Sequence, residues 1–360
     1  MPQASEPNPL KVMADGDDID FQNLLCSGAI VGEVLQGGKN SQIDAWTNPQ
    51  NADIATLPIG GNDVGFYKIL TACVLRVGQF RAGDCDEQVQ KAYDLINGRD
   101  LFNDVASALH QIIDKSGRAD FKIYQTGYPA FFNVDTDSCD LTTFYHWEPG
   151  HHSFKHLGNW TYLVKFLRLQ LNNLVTDLNT MLSQVVDSVN QAYPEQRVWF
   201  IDPNPAFNGH RFCEMDGNVE VTEPDSSRID TWLFLSGWID NALLTAATSS
   251  GNEVQELKEL QAGNLTALPD PNTCNTAATG NKDWYDNMLC EAAQAVLLPS
   301  PVDYEGPNNA SLVVQQQIQA IADGDFNALE VPWYVPTRSA KTFHPRTRGQ
   351  NAYMLLIMDA

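Results

Sequence analysis

Two short apolar runs, Phe121-Lys122-Ile123-Tyr124-Gln125-Thr126-Gly127 and Arg197-Val198-Trp199-Phe200-Ile201-Asp202, bracket one long amphipathic stretch. Within that stretch Leu163, Phe166, Leu167, Leu171, Leu174, Leu178, Met181, Leu182, Val185 and Val189 recur at three- and four-residue spacing, as on the apolar face of a helix. These positions are expected to be core. A strand, a long helix and a second strand can share one sheet only through a right-handed crossover, so the two runs should pair in parallel. A third run, Asp53-Ile54-Ala55-Thr56-Leu57-Pro58-Ile59, stops at Gly60-Gly61-Asn62-Asp63 and reads as a buried strand followed by a tight loop. One helical pattern covers about 87–115 and another 313–321. Strands alternating with helices predict a layered α/β domain.

From about 215 to 335 the rhythm is lost. The segment is rich in Gly, Asn, Thr, Pro and Asp, carries Trp232, Trp238, Trp284 and Trp333, and reads as a long insertion over the functional edge of the sheet. The chain has 22 basic and 45 acidic side chains, a formal net charge of −23. Such a field repels nucleic acid and anionic membrane surfaces, which argues against both as partners. No apolar run approaches the roughly 18 residues needed to span a bilayer, and the polar start, MPQASEPNPL, shows no signal peptide. Yet seven cysteines, at 26, 73, 85, 139, 213, 274 and 290, have none of the close pairing of a zinc site. Three sequons, at Asn159, Asn264 and Asn309, join them in pointing to a secreted, disulfide-bonded and glycosylated protein. A longer natural N-terminus would reconcile the absent signal with the odd cysteine.

Three places could carry chemistry. Gly60-Gly61-Asn62-Asp63 lies at the carboxyl end of a strand, where α/β folds bind ligands. Glycines there let a substrate approach the backbone, and an Asn amide can donate to a developing oxyanion. Cys26-Ser27-Gly28-Ala29 is a second small-residue turn, with the Gly28 amide as another donor. Phe343-His344-Pro345 supplies a late imidazole before a Gly349-containing turn and an apolar end at 353–358. Among other candidates, His151, His152 and His156 read as a polar surface turn rather than a metal site. Ser27 and Ser236 lack a nucleophile-elbow context. His210 is a further imidazole, and packing of the insertion explains Trp232 and Trp238 most simply.

In order and spacing, Cys-Ser-Gly-Ala at 26–29, Gly-Gly-Asn-Asp-Val-Gly-Phe at 60–66 and Phe-His-Pro at 343–345 closely resemble the SGNH-hydrolase (GDSL-lipase) superfamily, in its secreted esterases of fungi and actinomycetes. Further similar blocks are Tyr124-Gln125-Thr126-Gly127-Tyr128-Pro129-Ala130-Phe131-Phe132 and Phe207-Asn208-Gly209-His210-Arg211-Phe212-Cys213-Glu214. The likeness runs from about 19 to 214 and resumes at about 333–360.

The resemblance implies a three-layer α/β/α sandwich on a parallel, flavodoxin-like sheet of five strands. Residues 1–214 would be the core, 215–335 an insertion or lid, and 336–360 the segment bearing the catalytic histidine. It implies a carboxylic-ester hydrolase of lipase or esterase type, acting by a Ser–His acyl-enzyme mechanism, with Gly28 and Asn62 as oxyanion donors and His344 as general base. The expected substrate is a small-molecule or lipid ester, with no metal and no cofactor, and the protein a secreted monomer. Where many members carry Asp three residues before the histidine, this sequence has Lys341, so a main-chain oxygen near it is expected to orient His344. The first block, a strand leading to Gly-Asp-Ser, is missing; Val12-Met13-Ala14-Asp15-Gly16-Asp17-Asp18 is its nearest imitation, and residues 9–25 align better with a helix end and the second strand. The absent strand would lie inside the sheet, leaving neighbours unpaired, so a truncated reading of a longer gene is expected. The resemblance also implies Cys73–Cys85 and Cys139–Cys213 pairs, Cys274–Cys290 as the remainder, and Cys26 as the orphan. A non-catalytic binding protein and a carbohydrate esterase are the alternatives.

Overall fold

The computed structural model describes residues 21–26, 28–75, 84–137, 139–140, 162–214, 231–233 and 343–360. In chain order these form helices α1 (Val31–Val34) and α2 (Gln42–Ala45), strand β1 (Ile54–Leu57), helix α3 (Phe66–Ile69) running into a π-helical turn (Leu70–Leu75), helices α4 (Cys85–Asn97) and α5 (Arg99–Ser116), strand β2 (Lys122–Thr126), helix α6 (Lys165–Asn190), strand β3 (Val198–Ile201) and helix α7 (Thr347–Asp359). The sheet has the order β1-β2-β3 and is parallel throughout, with Ala55 opposite Ile123 and Tyr124 opposite Trp199. This is an α/β fold. Successive residues of β2 from Ile123 to Thr126 are buried, so layers cover both faces of the sheet.

Helix α6 follows the expected stripe: Leu167, Leu171, Leu174, Leu178, Met181, Leu182, Val185 and Val189 are buried, and the helix packs on α4, α5 and β3. Phe166 is a correction. It is 73% exposed, because one residue's rotation of about 100° from Leu167 carries it off the buried face. The single helical pattern over 87–115 is two helices. Gly98 adopts an extended conformation between them, ending α4 and starting α5, while Asp84 caps the first by accepting from the Glu87 amide at 3.1 Å.

The strand at 53–59 is less buried than expected. Ile54 is 41% exposed and Thr56 is exposed, because β1 is an edge strand paired only with β2 among the described residues. Nor do residues 21–26 form the anticipated second strand. Gln22 instead ties the segment to the turn after α2, donating to the Ala45 carbonyl at 3.1 Å and accepting from the Thr47 amide at 3.1 Å.

Cys73–Cys85 and Cys139–Cys213 are disulfides, and Cys26 is an exposed free thiol. No described helix is long and apolar enough to cross a membrane. Outside the described residues lie Val12 to Asp18, Ser27, His151, His152, His156, Ser236, Trp238, Trp284, Trp333, Lys341, the Cys274–Cys290 pair, the sequon residues Asn159, Asn264 and Asn309, the helical pattern at 313–321 and, apart from 231–233, the insertion.

Candidate active site

Past the end of β1 the chain turns through Gly60, whose φ of 113° suits glycine. The turn is closed by Val64, Gly65 and Phe66 amides donating to the carbonyls of Gly60, Asn62 and Gly61, and it delivers Asn62 and Asp63 to the carboxyl end of the sheet. Both side chains reach the small-residue turn at 28–31. Asn62 Nδ2 donates to the Ala29 carbonyl at 3.0 Å, and the Asp63 carboxylate accepts from Val31 N–H at 3.0 and 3.3 Å. Gly28 itself has φ 79°, so its peptide is set by a left-handed turn. An Asn amide carries two N–H bonds, and the tie to Ala29 uses one. Burial pushes the Asp63 carboxyl above its ordinary range, with the charges of Asp104 and Glu33 adding to the rise and the Val31 amide opposing it.

The late histidine packs on the helix that follows this turn. The His344 ring stands edge-on to Phe66, centroids 6.3 Å apart, and Phe66 is four residues beyond Asn62. Beneath it Phe343 is buried with φ 62°, a left-handed conformation uncommon for any residue but glycine and costing about 1–3 kcal/mol. An aromatic cluster holds it there: Phe131, Phe132 and Phe212 lie 5.3, 5.9 and 5.0 Å from its ring. Arg346, also buried, anchors the entry to α7 by donating from its backbone and guanidinium to the carbonyls of Trp232 and Thr231. Asn62 thus bonds the residue after Gly28, and His344 packs on Phe66 at the end of the same Gly60–Phe66 stretch.

His210 packs on a different ring. Its imidazole stacks flat on the Trp232 indole, 3.8 Å between centroids and 5° between planes, and Trp232 also packs on Phe207. Among the described residues no cluster of His, Cys, Asp and Glu could hold a metal ion.

Several supporting residues escaped the sequence reading. The segment from Tyr128 to Thr136 has few ladder bonds of its own, and polar side chains on α6 serve its backbone. Asn179 accepts from Tyr128 N–H and donates to its carbonyl, both at 2.8 Å; Asn172 accepts from the Phe131 and Phe132 amides and donates to the Phe132 carbonyl. Arg168, fully buried, donates to the carbonyls of Asn133 and Thr136 and pairs with Asp140 at 2.7 Å. The signal available in the sequence was a set of polar residues embedded in the apolar stripe of a long helix.

No protein-family model matches the chain. Lipase 1 of Streptomyces coelicolor is 24% identical over 193 residues, which are 54% of this chain and 56% of that protein. Part of the chain is similar to Streptomyces lipases. It spans little more than half the length of the curated relative it matches. Among solved structures, an extracellular lipase from Streptomyces rimosus matches with a TM-score of 0.37 and 21% identity over 53% of this chain and 64% of that one. A phospholipase A1 from Streptomyces albidoflavus matches with a TM-score of 0.38 and 22% identity over 58% and 65%.

Proposed function

We propose that this chain carries the oxyanion and general-base side of a carboxylic-ester hydrolase site, of lipase or esterase type, in a secreted protein. The observation that supports it most is the meeting of three motifs far apart in sequence: Asn62 bonded to Ala29 beside Gly28, and His344 against Phe66. On this reading a serine attacks the ester carbonyl, giving its proton to His344 and forming a tetrahedral intermediate. The negative oxygen is received by the Gly28 amide and the second N–H of Asn62. His344 then returns the proton to the leaving alcohol, and water repeats the sequence on the acyl-enzyme. An imidazole suits the role because its ordinary pKa is near neutrality. Two disulfides favour an oxidising compartment, and the likeness to a lipase favours a lipid or small-molecule ester.

The test is hydrolysis of p-nitrophenyl acetate and butyrate by the 360-residue chain and by an N-terminally extended form carrying a strand and Gly-Asp-Ser. The extended form should turn over both esters, and Asn62→Ala should lower its kcat by about 10²–10³-fold. A folded extended form that binds esters without hydrolysing them would make the site a binding module and end the hydrolase reading.

A further inference from the structure

We propose that Tyr128 is a positioning residue for Asn62, its phenol oxygen fixing the turn from which the Asn62 amide is presented. This rests on the reading of Asn62 as an oxyanion donor. Tyr128 Oη accepts from Gly61 N–H at 3.0 Å, one residue before Asn62. The same ring lies against the Gly61 backbone: a Cβ there would meet Tyr128 Cζ at 3.0 Å, so glycine is what lets the ring and the turn approach. Gly61 is buried, and its amide would lose its partner if the hydroxyl were removed.

Tyr128 can act as a fixed post because its own backbone is held from two sides. Asn179 of α6 grips both its N–H and its carbonyl, and Asn204 Nδ2 donates to that carbonyl at 3.2 Å. Gly127 permits the grip, since a Cβ there would fall 2.7 Å from Asn179 Oδ1. Burial pushes the Tyr128 phenol up to about 12, so it stays neutral and its oxygen stays an acceptor of ordinary strength across the working range. The other half-buried tyrosine nearby, Tyr353 of α7, makes a different bond, donating to the Gly127 carbonyl at 2.8 Å. A path of direct contacts therefore runs from α6 through Asn179 and Tyr128 to Gly61.

The experiment is a butyrate titration of the isotopically labelled 360-residue chain, followed at the Gly28 and Gly61 amides and the Asn62 side-chain amide. Amide exchange at Gly61 and thermal unfolding are measured alongside. Tyr128→Phe should leave the fold intact, speed Gly61 exchange about tenfold, move the Asn62 side-chain signal in the free protein and weaken butyrate binding about fivefold. Tyr353→Phe, which also removes one part-buried phenol hydrogen bond, should leave the Asn62 signal and butyrate affinity in place. Should Tyr128→Phe not fold, Asn179→Ala replaces it, with losses in the same direction. If Tyr128→Phe binds butyrate as the native chain does and leaves the Asn62 signal unmoved, the positioning role is wrong while the oxyanion reading stands. If the native chain shows no response at Asn62, the oxyanion reading fails and takes this inference with it.

Discussion

Asp63 holds the 28–31 turn by accepting Val31 N–H, and it does so from a site where its charge is costly. Because burial raises its pKa above the ordinary 3.8, the folded chain keeps that proton to higher pH than the unfolded chain does. Within that window the folded state binds more protons, so this residue makes stability fall as pH rises. Asp63→Asn retains an acceptor for Val31 and removes the titration. Urea unfolding at a series of pH values should show the variant gaining on the native chain as pH rises from 3.8 through the window, then levelling; a difference independent of pH would contradict the assignment. The neighbouring Asn62 was visible in the sequence as part of a strand-ending turn. The raised carboxyl beside it was not, because its chief cause, burial, and the lesser charges of Asp104 and Glu33 arise only in the fold.

Helix α6 shows how an element can be legible in one respect and silent in another. Its apolar repeat locates the helix to within two residues of its observed start, and the buried stripe follows the spacing except at Phe166. What spacing does not reveal is that Arg168, Asn172 and Asn179 interrupt the stripe on purpose. They satisfy backbone groups of residues 128–136, a segment distant in the chain and recognisable only once β2 and α6 are packed. Asn172→Leu would keep the helix and its volume yet remove the side chain's bonds to the Phe131 and Phe132 amides and the Phe132 carbonyl. A loss of about 2–3 kcal/mol in urea unfolding is expected; a neutral outcome would mean that the segment finds other partners. The exposure of β1 was hidden for a related reason. An apolar run looks the same in a central and an edge strand, and which it becomes depends on the strands beside it.

On the largest scale, the two disulfides among the described residues fasten parts that also frame the site: one closes the π-helical turn after α3, the other ties residue 139 to the turn at Cys213 beside Phe212. Their sequence separations are 12 and 74 residues. The chain-entropy account then predicts losses of about 3 kcal/mol for a Cys73→Ala/Cys85→Ala pair and about 4 kcal/mol for Cys139→Ala/Cys213→Ala, read by urea unfolding under non-reducing conditions. At this scale the proposed site brings loops from three distant stretches to one acyl carbon. The most direct test is a double-mutant cycle, Asn62→Ala and His344→Ala, on p-nitrophenyl butyrate hydrolysis by the extended form. Residues that act as one unit are strongly non-additive, so the double variant should be little slower than the worse single variant. Losses that multiply in full, or a His344→Ala variant as active as its parent, would contradict the account.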